Sequence, residues 1–491
     1  MPLASFGKTT EISVCTGAIS RSRLRELVMS DVVLAIKKDD GSYEAVNKAV
    51  RISNPEILTV DNHEIFKAAS KKGIQGVTLA DDGSGVTDAR YSNTKHTLFN
   101  LDIATVVGSG PSKNYVEYIY KGKKYYFHDC AALRSGIRTL NRGYEQYLYG
   151  NNGKTKVSVT LCLLLSYKTE TAYLIDPGAR TKGFSYYMLN VKEKKARETL
   201  EALFLYLGEI LGQNDCYVTN WILGNEVNAA KAWNYHGNSS FNNYMNSYVT
   251  AYQILYNGVK AQKSGNTVSI SLDNDWAAAA NTYAGKKVLD SFANKIYLKD
   301  PKIQWSVAYH PYSYPLTRCD FWNDSVNTTN STTTKYISMK NIQVLTNYVG
   351  NLEKTYGMKK NSIRVLLTEQ GFSYDSGNPK KQAEALARAY YTAEFNDRID
   401  AFIIRAIIDA KEETANNLYL GTMNAKTEKR ISFYVYEFMD SDLEKLAETP
   451  AKNVVPWNNY EKFNSAKEIL CKTNWKKLIS GFDASKLAQI K

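Results

Sequence analysis

Two short apolar runs of this 491-residue chain each close on a glutamate. The first is Trp221-Ile222-Leu223-Gly224-Asn225-Glu226-Val227-Asn228 and the second is Ile363-Arg364-Val365-Leu366-Leu367-Thr368-Glu369-Gln370-Gly371. Each reads as a buried strand that presents one carboxylate where the chain leaves the sheet. Two carboxylates at strand ends suit cleavage of a glycosidic bond. One protonates the departing oxygen and the other attacks the sugar or activates water. Taken singly, Glu226 could cap a helix starting near Val227 and Glu369 could pair with an arginine. Taken together, they read as a catalytic pair.

Other polar and aromatic residues fall at the ends of apolar runs. His310 and Tyr312 lie in Val307-Ala308-Tyr309-His310-Pro311-Tyr312. Neighbouring positions on a strand face opposite ways, so His310 and Tyr312 are expected to face one side and Tyr309 the other. Asp273-Asn274-Asp275-Trp276 follows another run. Asp273 could hold sugar hydroxyls and Trp276 could stack on a sugar ring, against the alternative of a helix cap and a half-buried indole. Asn100 lies near the end of an early run, and Trp233, Tyr235 and His236 follow Glu226 closely enough to line an outer subsite.

The elements that must position these groups are read from periodicity. Strands are expected at Gly73–Leu79, Thr97–Val106, Val157–Leu165, Tyr217–Leu223, Thr267–Leu272, Ile303–Tyr309, Ile363–Thr368 and Ala401–Ile408. Helices are expected at Ala132–Tyr149, Val191–Leu211, Tyr244–Ala261, Ala280–Ala293, Tyr336–Tyr356 and Lys380–Asp397. Lys113–His128 reads as a hairpin inserted after the second strand. Eight strands alternating with helices point to an α/β chain folded as a (β/α)8 barrel over residues 71–440. A doubly wound open sheet is the rival, but no glycine-rich nucleotide-binding pattern follows the first strand. On this count Glu226 follows strand four and Glu369 follows strand seven, nearly opposite one another around the ring.

Residues 1–70 read as a small β-rich segment, with strands at Ile12–Ile19, Asp31–Lys37, Tyr43–Val50 and Arg51–Val60. Residues 441–491 read as a helical extension packed on the barrel, with a helix at Ala466–Leu478. Asn323–Thr334 is a polar loop, and its two glycosylation-like triplets follow from that composition.

Composition narrows the remaining classes. Apolar residues make up 44% and charged residues 23%, which suits a globular chain with an ample core. No uninterrupted apolar stretch is long enough to span a bilayer. The net charge is +13, but the basic residues are scattered, which favours a solvated surface over a nucleic-acid face. The six cysteines show no metal-ligand spacing, and Cys162, inside an apolar run, is expected to be a buried free thiol. The start of the chain has no charged n-region and apolar core. The expectation is a secreted or cell-surface protein whose leader is absent from this chain, with a cytoplasmic protein as the alternative.

The Gly224-Asn225-Glu226 and Thr368-Glu369-Gln370-Gly371 segments resemble the signature of the clan A glycoside hydrolases, which carry Asn-Glu after strand four and Glu after strand seven of a (β/α)8 barrel. The resemblance covers roughly residues 70–440 and is nearest to a bacterial branch of that clan without a settled substrate. It implies a retaining mechanism on a β-linked oligo- or polysaccharide, with Glu226 as acid/base and Glu369 as nucleophile. It implies that Asn225 binds the sugar 2-hydroxyl and that His310 or Tyr312 hydrogen-bonds the nucleophile or the sugar. No metal and no cofactor are implied. Two departures stand out. Val227 replaces the commoner proline, and the eighth strand lacks the tryptophan that many members use as the floor of the sugar site. Arg405 and Asp409 stand there instead. Arg405 could bind a carboxylate or sulfate on the sugar, or pair with a glutamate inside the barrel. The rival functions are a carbohydrate-binding barrel without turnover, and a lyase or phosphatase on the same fold.

Overall fold

In a computed structural model, which describes residues 20–58, 66–76, 94–148, 151–263, 265–440 and 460–478, eight parallel strands close into a ring in sequence order. They are β1 (Lys72–Gln75), β2 (His96–Asp102), β3 (Ser158–Leu164), β4 (Asn220–Leu223), β5 (Thr267–Leu272), β6 (Ser306–Tyr309), β7 (Arg364–Gln370) and β8 (Ile399–Ile404). The helices that follow β2 to β8 are α1 (Ala131–Arg142), α2 (Lys194–Ile210), α3 (Phe241–Lys260), α4 (Gly285–Lys299), α5 (Ile342–Thr355), α6 (Pro379–Glu394) and α7 (Ile431–Phe438). The molecule is a (β/α)8 barrel.

Strands covered on both faces need no polar alternation, which is why they read as continuous apolar runs. Leu98, Cys162, Leu164, Ile222, Ala308, Leu366, Ala401 and Ile403 form a cluster of their own inside the ring. Outward residues such as Val159, Leu161, Trp221, Ile270 and Val307 join the larger core beneath the helices. Gly73 on β1 is required by close approach, because a Cβ there would lie 2.8 Å from His96 and 2.9 Å from Ile403. Cys130, Cys162, Cys216 and Cys319 are buried free thiols. Burial pushes the Cys162 thiol far above its ordinary range.

Several expected boundaries move. The expected helix Ala132–Tyr149 stops at Arg142, where Gly143 takes a positive φ of +87°. Its remainder is the strand Tyr144–Leu148, paired with Asn151–Thr155. A Cβ at position 143 would lie 3.0 Å from the Thr155 carbonyl oxygen, so the glycine is what allows the sharp exit. The expected strand Thr97–Val106 ends at Asp102, whose side chain accepts from Ala104 N and starts a helical turn over Ile103–Val106. The expected helix Ala280–Ala293 begins only at Gly285. Before it, Trp276 and Ala277 donate backbone N–H bonds to the Lys335 carbonyl and Asn281 N donates to Asp275, so local polar bonds override alanine's helix propensity.

Within residues 20–58 the first element is a helix, Arg21–Val28, that strand periodicity did not anticipate. The expected strand Asp31–Lys37 divides into Asp31–Val32 and Ala35–Lys37, and these pair with Val50–Arg51 and Tyr43–Ala45. The expected strand Ile12–Ile19 lies outside the described residues. This segment is tied to the barrel exterior. Arg25 makes two 2.5 Å bonds to Glu209 of α2, Arg51 pairs with Glu201 at 2.8 Å, and Asn257 of α3 donates to the Val28 and Ile52 carbonyls. At the other end, a helix over Tyr460–Lys472 is followed by Trp475–Leu478, with Trp475 stacked on Tyr391 of α6. Among the described residues no helix is long and apolar enough to cross a membrane.

Candidate active site

The chain leaves β4 through a tight turn. Gly224 has φ +72°, and Glu226 itself sits in the left-handed region at φ +41°. That conformation costs a residue with a Cβ about 1 kcal/mol. It is held by strand β5: Glu226 N donates to Ser271 Oγ at 3.1 Å and Val227 N to the Ser271 carbonyl at 2.9 Å. The short helix that follows, Ala230–Trp233, is capped at Ala229 without a side-chain bond, so Glu226 is not its cap. The Glu226 carboxylate meets His310 instead, Nδ1 to Oε1 at 2.7 Å.

His310 leaves the end of β6, is 2% exposed, and its Nε2 lies 3.1 Å from Thr368 Oγ1 of β7. Two residues on, Tyr312 donates its hydroxyl to Glu369 Oε1 at 2.9 Å. The segment leaving β6 therefore touches both carboxylates. Tyr309, one residue before His310 and out of phase with both, is fully buried in the outer core. The β7–β8 register shifts between Leu367 and Gln370. This irregularity lets the consecutive residues Thr368 and Glu369 both reach the mouth, where a regular pleat would send them to opposite faces. Gln75, at the end of β1, donates to Glu369 Oε2 at 3.4 Å. Arg405, just past β8, places Nε 3.6 Å from Glu369 Oε1 and Nη2 3.1 Å from Glu413 Oε1. Of the two readings of Arg405, the structure has the pairing with glutamates inside the barrel. Asp409 is bound by Arg430, with its Oδ2 2.6 Å from Arg430 Nη2.

Charge at the mouth is set by burial and proximity. Burial works against protonated His310, but its hydrogen bond to Glu226 and the charge of Glu369 outweigh it and raise its pKa. Asp273 continues the inward face of β5. Burial, reinforced by the negative charge of Glu226, pushes its carboxyl up to about 7. It accepts from Asn281 Nδ2 at 3.0 Å and Asp275 N at 2.9 Å, and from Asn228 Nδ2. Asn228 thus links the Glu226 turn to β5.

The remaining sequence candidates separate. Asn100 continues the inward face of β2 and is exposed at the mouth, and Asn225 is partly exposed beside Glu226. Asp273 is only 4% exposed and its oxygens are occupied by protein donors, which places it in the wall rather than on a sugar hydroxyl. Trp276 has no accessible surface, and its indole N–H donates to the Thr332 carbonyl at 3.0 Å, so neither ring face is open for stacking. Trp233 lies against Tyr186 with centroids 6.1 Å apart, Tyr235 stacks on Phe184, and buried His236 bonds the Tyr283 hydroxyl at 3.1 Å. Sequence reasoning missed Gln75, Ser271, Thr368 and Glu413. Thr368 carried a signal because it adjoins Glu369, whereas Gln75 fell inside the expected strand Gly73–Leu79 and closes β1 only in the structure. Ser271 and Glu413 carried none.

A family model described as "Family of unknown function (DUF5722)" matches residues 64–463. The chain belongs to the DUF5722 family. No curated protein matches this DUF5722 sequence. Among solved structures it is similar to a family 39 glycoside hydrolase from Bacteroides cellulosilyticus WH2, with 14% identity, TM-score 0.46, and 82% of this chain against 69% of that one. It is similar to the Bacteroides uniformis β-glucuronidase, with 10% identity, TM-score 0.41, and 76% of this chain against only 35% of that one. A thermostable mutant of xylanase Xyn10A from Cellvibrio japonicus shows 11% identity, TM-score 0.43, and 74% coverage of this chain against 96% of that one.

The pH dependence of the Asp273 contacts is testable. A carboxyl whose folded pKa stands above its unfolded value contributes stability at low pH, and that contribution is lost as pH rises through the folded pKa. For Asp273, rising from 3.8 to about 7, the loss falls between roughly pH 4 and 7 and amounts to about 4 kcal/mol. Asp273→Asn removes the charge, so its melting temperature relative to wild type should climb from pH 5 to pH 8 in paired thermal melts. A difference flat across that range refutes the assignment.

Proposed function

We propose that this DUF5722 protein is a retaining glycoside hydrolase acting on a β-linked oligo- or polysaccharide. The observation that carries the reading is the convergence of Glu226 and Glu369, from opposite sides of the ring, on His310 and Tyr312, two residues apart at the end of β6. Inward polar groups at the C-terminal ends of barrel strands are where such folds place their chemistry.

The His310–Glu226 pair carries one exchangeable proton across its 2.7 Å hydrogen bond. In this reading the proton passes between His310 Nδ1 and the Glu226 carboxyl, while His310 Nε2 is held 3.1 Å from Thr368 Oγ1. In the first step a Glu369 oxygen attacks the anomeric carbon and the glycosidic C–O bond breaks. The leaving oxygen takes the proton from Glu226, and a glycosyl ester on Glu369 remains. In the second step Glu226 takes a proton from water as that water attacks the anomeric carbon, the ester bond to Glu369 breaks, and the pair regains its proton. The Tyr312 hydroxyl orients Glu369, and burial holds that phenol protonated far above its usual range.

The test is a panel of aryl glycosides and natural glycans, with NMR of the product's anomeric proton. Hydrolysis with retained configuration is expected. An inverted product excludes the nucleophile role of Glu369, and failure to turn over any substrate while binding glycans favours a non-catalytic carbohydrate-binding barrel.

A further inference from the structure

Two basic runs that are far apart in the sequence, Lys121-Gly122-Lys123-Lys124 and Lys192-Glu193-Lys194-Lys195, each give two lysines to the lining of one groove of about 640 Å³. Its walls are the hairpin strand Lys123–His128, the segment 107–109 after β2, the short helix Thr169–Leu174 after β3 and the first turns of α2. It therefore lies beside the C-terminal ends of β2 and β3. None of the residues that touch Glu226 or Glu369 lines it. Its size falls in the range of roughly 300–1,000 Å³ that small-molecule sites occupy.

Three features of the groove point to a ligand. The first is charge. Lys123 pairs with Glu198 at 2.5 Å and Lys124 with Glu117 at 3.0 Å, which leaves Lys194 and Lys195 against the single carboxylate of Glu170. Both lysines stand in the first turn of a 17-residue helix, where the helix dipole favours acidic side chains. No side chain caps that end, because the Glu193 carboxylate is bonded to Arg180 and Asn190 instead. A bound anion would satisfy both the lysines and the open amides of α2. The second feature is aromatic. Tyr173 and Tyr125 are only partly buried; the Lys195 ammonium lies 4.5 Å from the Tyr173 ring centroid, and Tyr125 is stacked on Phe127. The third is an unmatched hydroxyl. Thr171 lines the groove and is 3% exposed, yet its Oγ1 has no hydrogen-bond partner. Buried polar groups normally have one, so a vacant hydroxyl here suits a ligand.

We propose that this groove is an accessory site for an acidic saccharide. A carboxylate or sulfate on the sugar meets Lys194, Lys195 and the amides that open α2, its ring lies against Tyr173 and its hydroxyls reach Thr171. The choice of a saccharide rests on the glycosidase reading, whereas the choice of an anion rests on the groove alone. A polymer anchored here is held beside the barrel mouth, which raises its effective concentration at the two glutamates.

The experiment is isothermal titration calorimetry of the full chain carrying Glu369→Gln, so that no ligand is consumed. The probes are two acidic tetrasaccharides, tetra-mannuronate and a chondroitin sulfate tetrasaccharide, with uncharged cellotetraose and inorganic sulfate as comparisons. At least one acidic tetrasaccharide is expected to bind, and Lys194→Gln/Lys195→Gln should weaken it about 10-fold or more while leaving cellotetraose unaffected. Both lysines are exposed, so this variant keeps the fold. Thr171→Val removes a hydroxyl that bonds nothing in the protein, and it should weaken binding several-fold without lowering the melting temperature. Lys359→Gln/Lys360→Gln, a charge-matched change just before β7 at the opposite end of the barrel, should leave binding as it is. The proposal is overturned if neither acidic tetrasaccharide binds, if the Lys194→Gln/Lys195→Gln variant binds them as before, if the Lys359→Gln/Lys360→Gln variant loses as much, or if sulfate alone binds as tightly as the tetrasaccharides. If the groove binds but the wild type cleaves no glycoside, the site stands and the glycosidase reading falls. If aryl glycosides are cleaved and neither acidic tetrasaccharide binds, the reading stands and the accessory site falls.

Discussion

Glu369→Gln is expected to lower kcat/KM by about 10⁴-fold or more, or ~5.5 kcal/mol of transition-state stabilisation. The amide keeps the shape and can still accept from Tyr312, but it cannot form the covalent ester. The fold should survive, because Glu369 is a partly exposed rim residue and the isosteric amide keeps an oxygen for its partners. The decisive control is Glu369→Ala with azide and an activated aryl glycoside. Azide fits the space vacated by the carboxylate and attacks the anomeric carbon from that face, giving a glycosyl azide of inverted configuration. Substantial residual turnover in Glu369→Gln with retained configuration would mean that another group is the nucleophile.

Glu226→Gln should cost between about 10² and 10⁴ in kcat/KM, the usual worth of general acid–base catalysis. The loss should depend on the leaving group. A nitrophenolate departs without protonation, so its glycosides should be spared in the first step, whereas natural glycans should lose the full factor. The pH profile supplies the second signature. In wild type the acid form is held by the His310–Glu226 pair, and His310's pKa is raised above its ordinary value. Rate should therefore fall as pH rises through the raised pKa of His310. With Glu226→Gln this basic limb should vanish on substrates with good leaving groups. A limb that persists unchanged would move the acid role to another residue.

The two glutamates were legible because a parallel barrel buries its strands on both faces. A continuous apolar run that ends in a carboxylate is then conspicuous. The spacing of His310 and Tyr312 was legible for a related reason: in an extended segment, positions two apart share a face. Trp276 was not. An aromatic residue after a strand end looks the same whether it is exposed to a sugar or packed in the core. Only the return of the segment Asn327–Tyr336, whose Thr332 carbonyl accepts the indole N–H, decides that it is buried. Asp273 was similarly ambiguous, because its donor Asn228 comes from the loop after β4 and its donor Asn281 from farther along its own loop.

The chain's own pattern thus determined the eight-strand count, the order of the strands around the ring and the two rim positions that carry carboxylates. These follow from local periodicity, which each strand expresses without reference to the others. The tertiary structure alone decided what each carboxylate touches. Gln75, His310, Glu369, Arg405 and Glu413 are spread over more than 300 positions of sequence, and Gln75 joins Glu369 and Arg405 because ring closure sets β1 beside β8. Whether Arg405 meets a substrate anion or the glutamate beside it depends on which side chain the closed ring brings within about 4 Å, the range at which an ion pair forms. No sequence spacing encodes that distance.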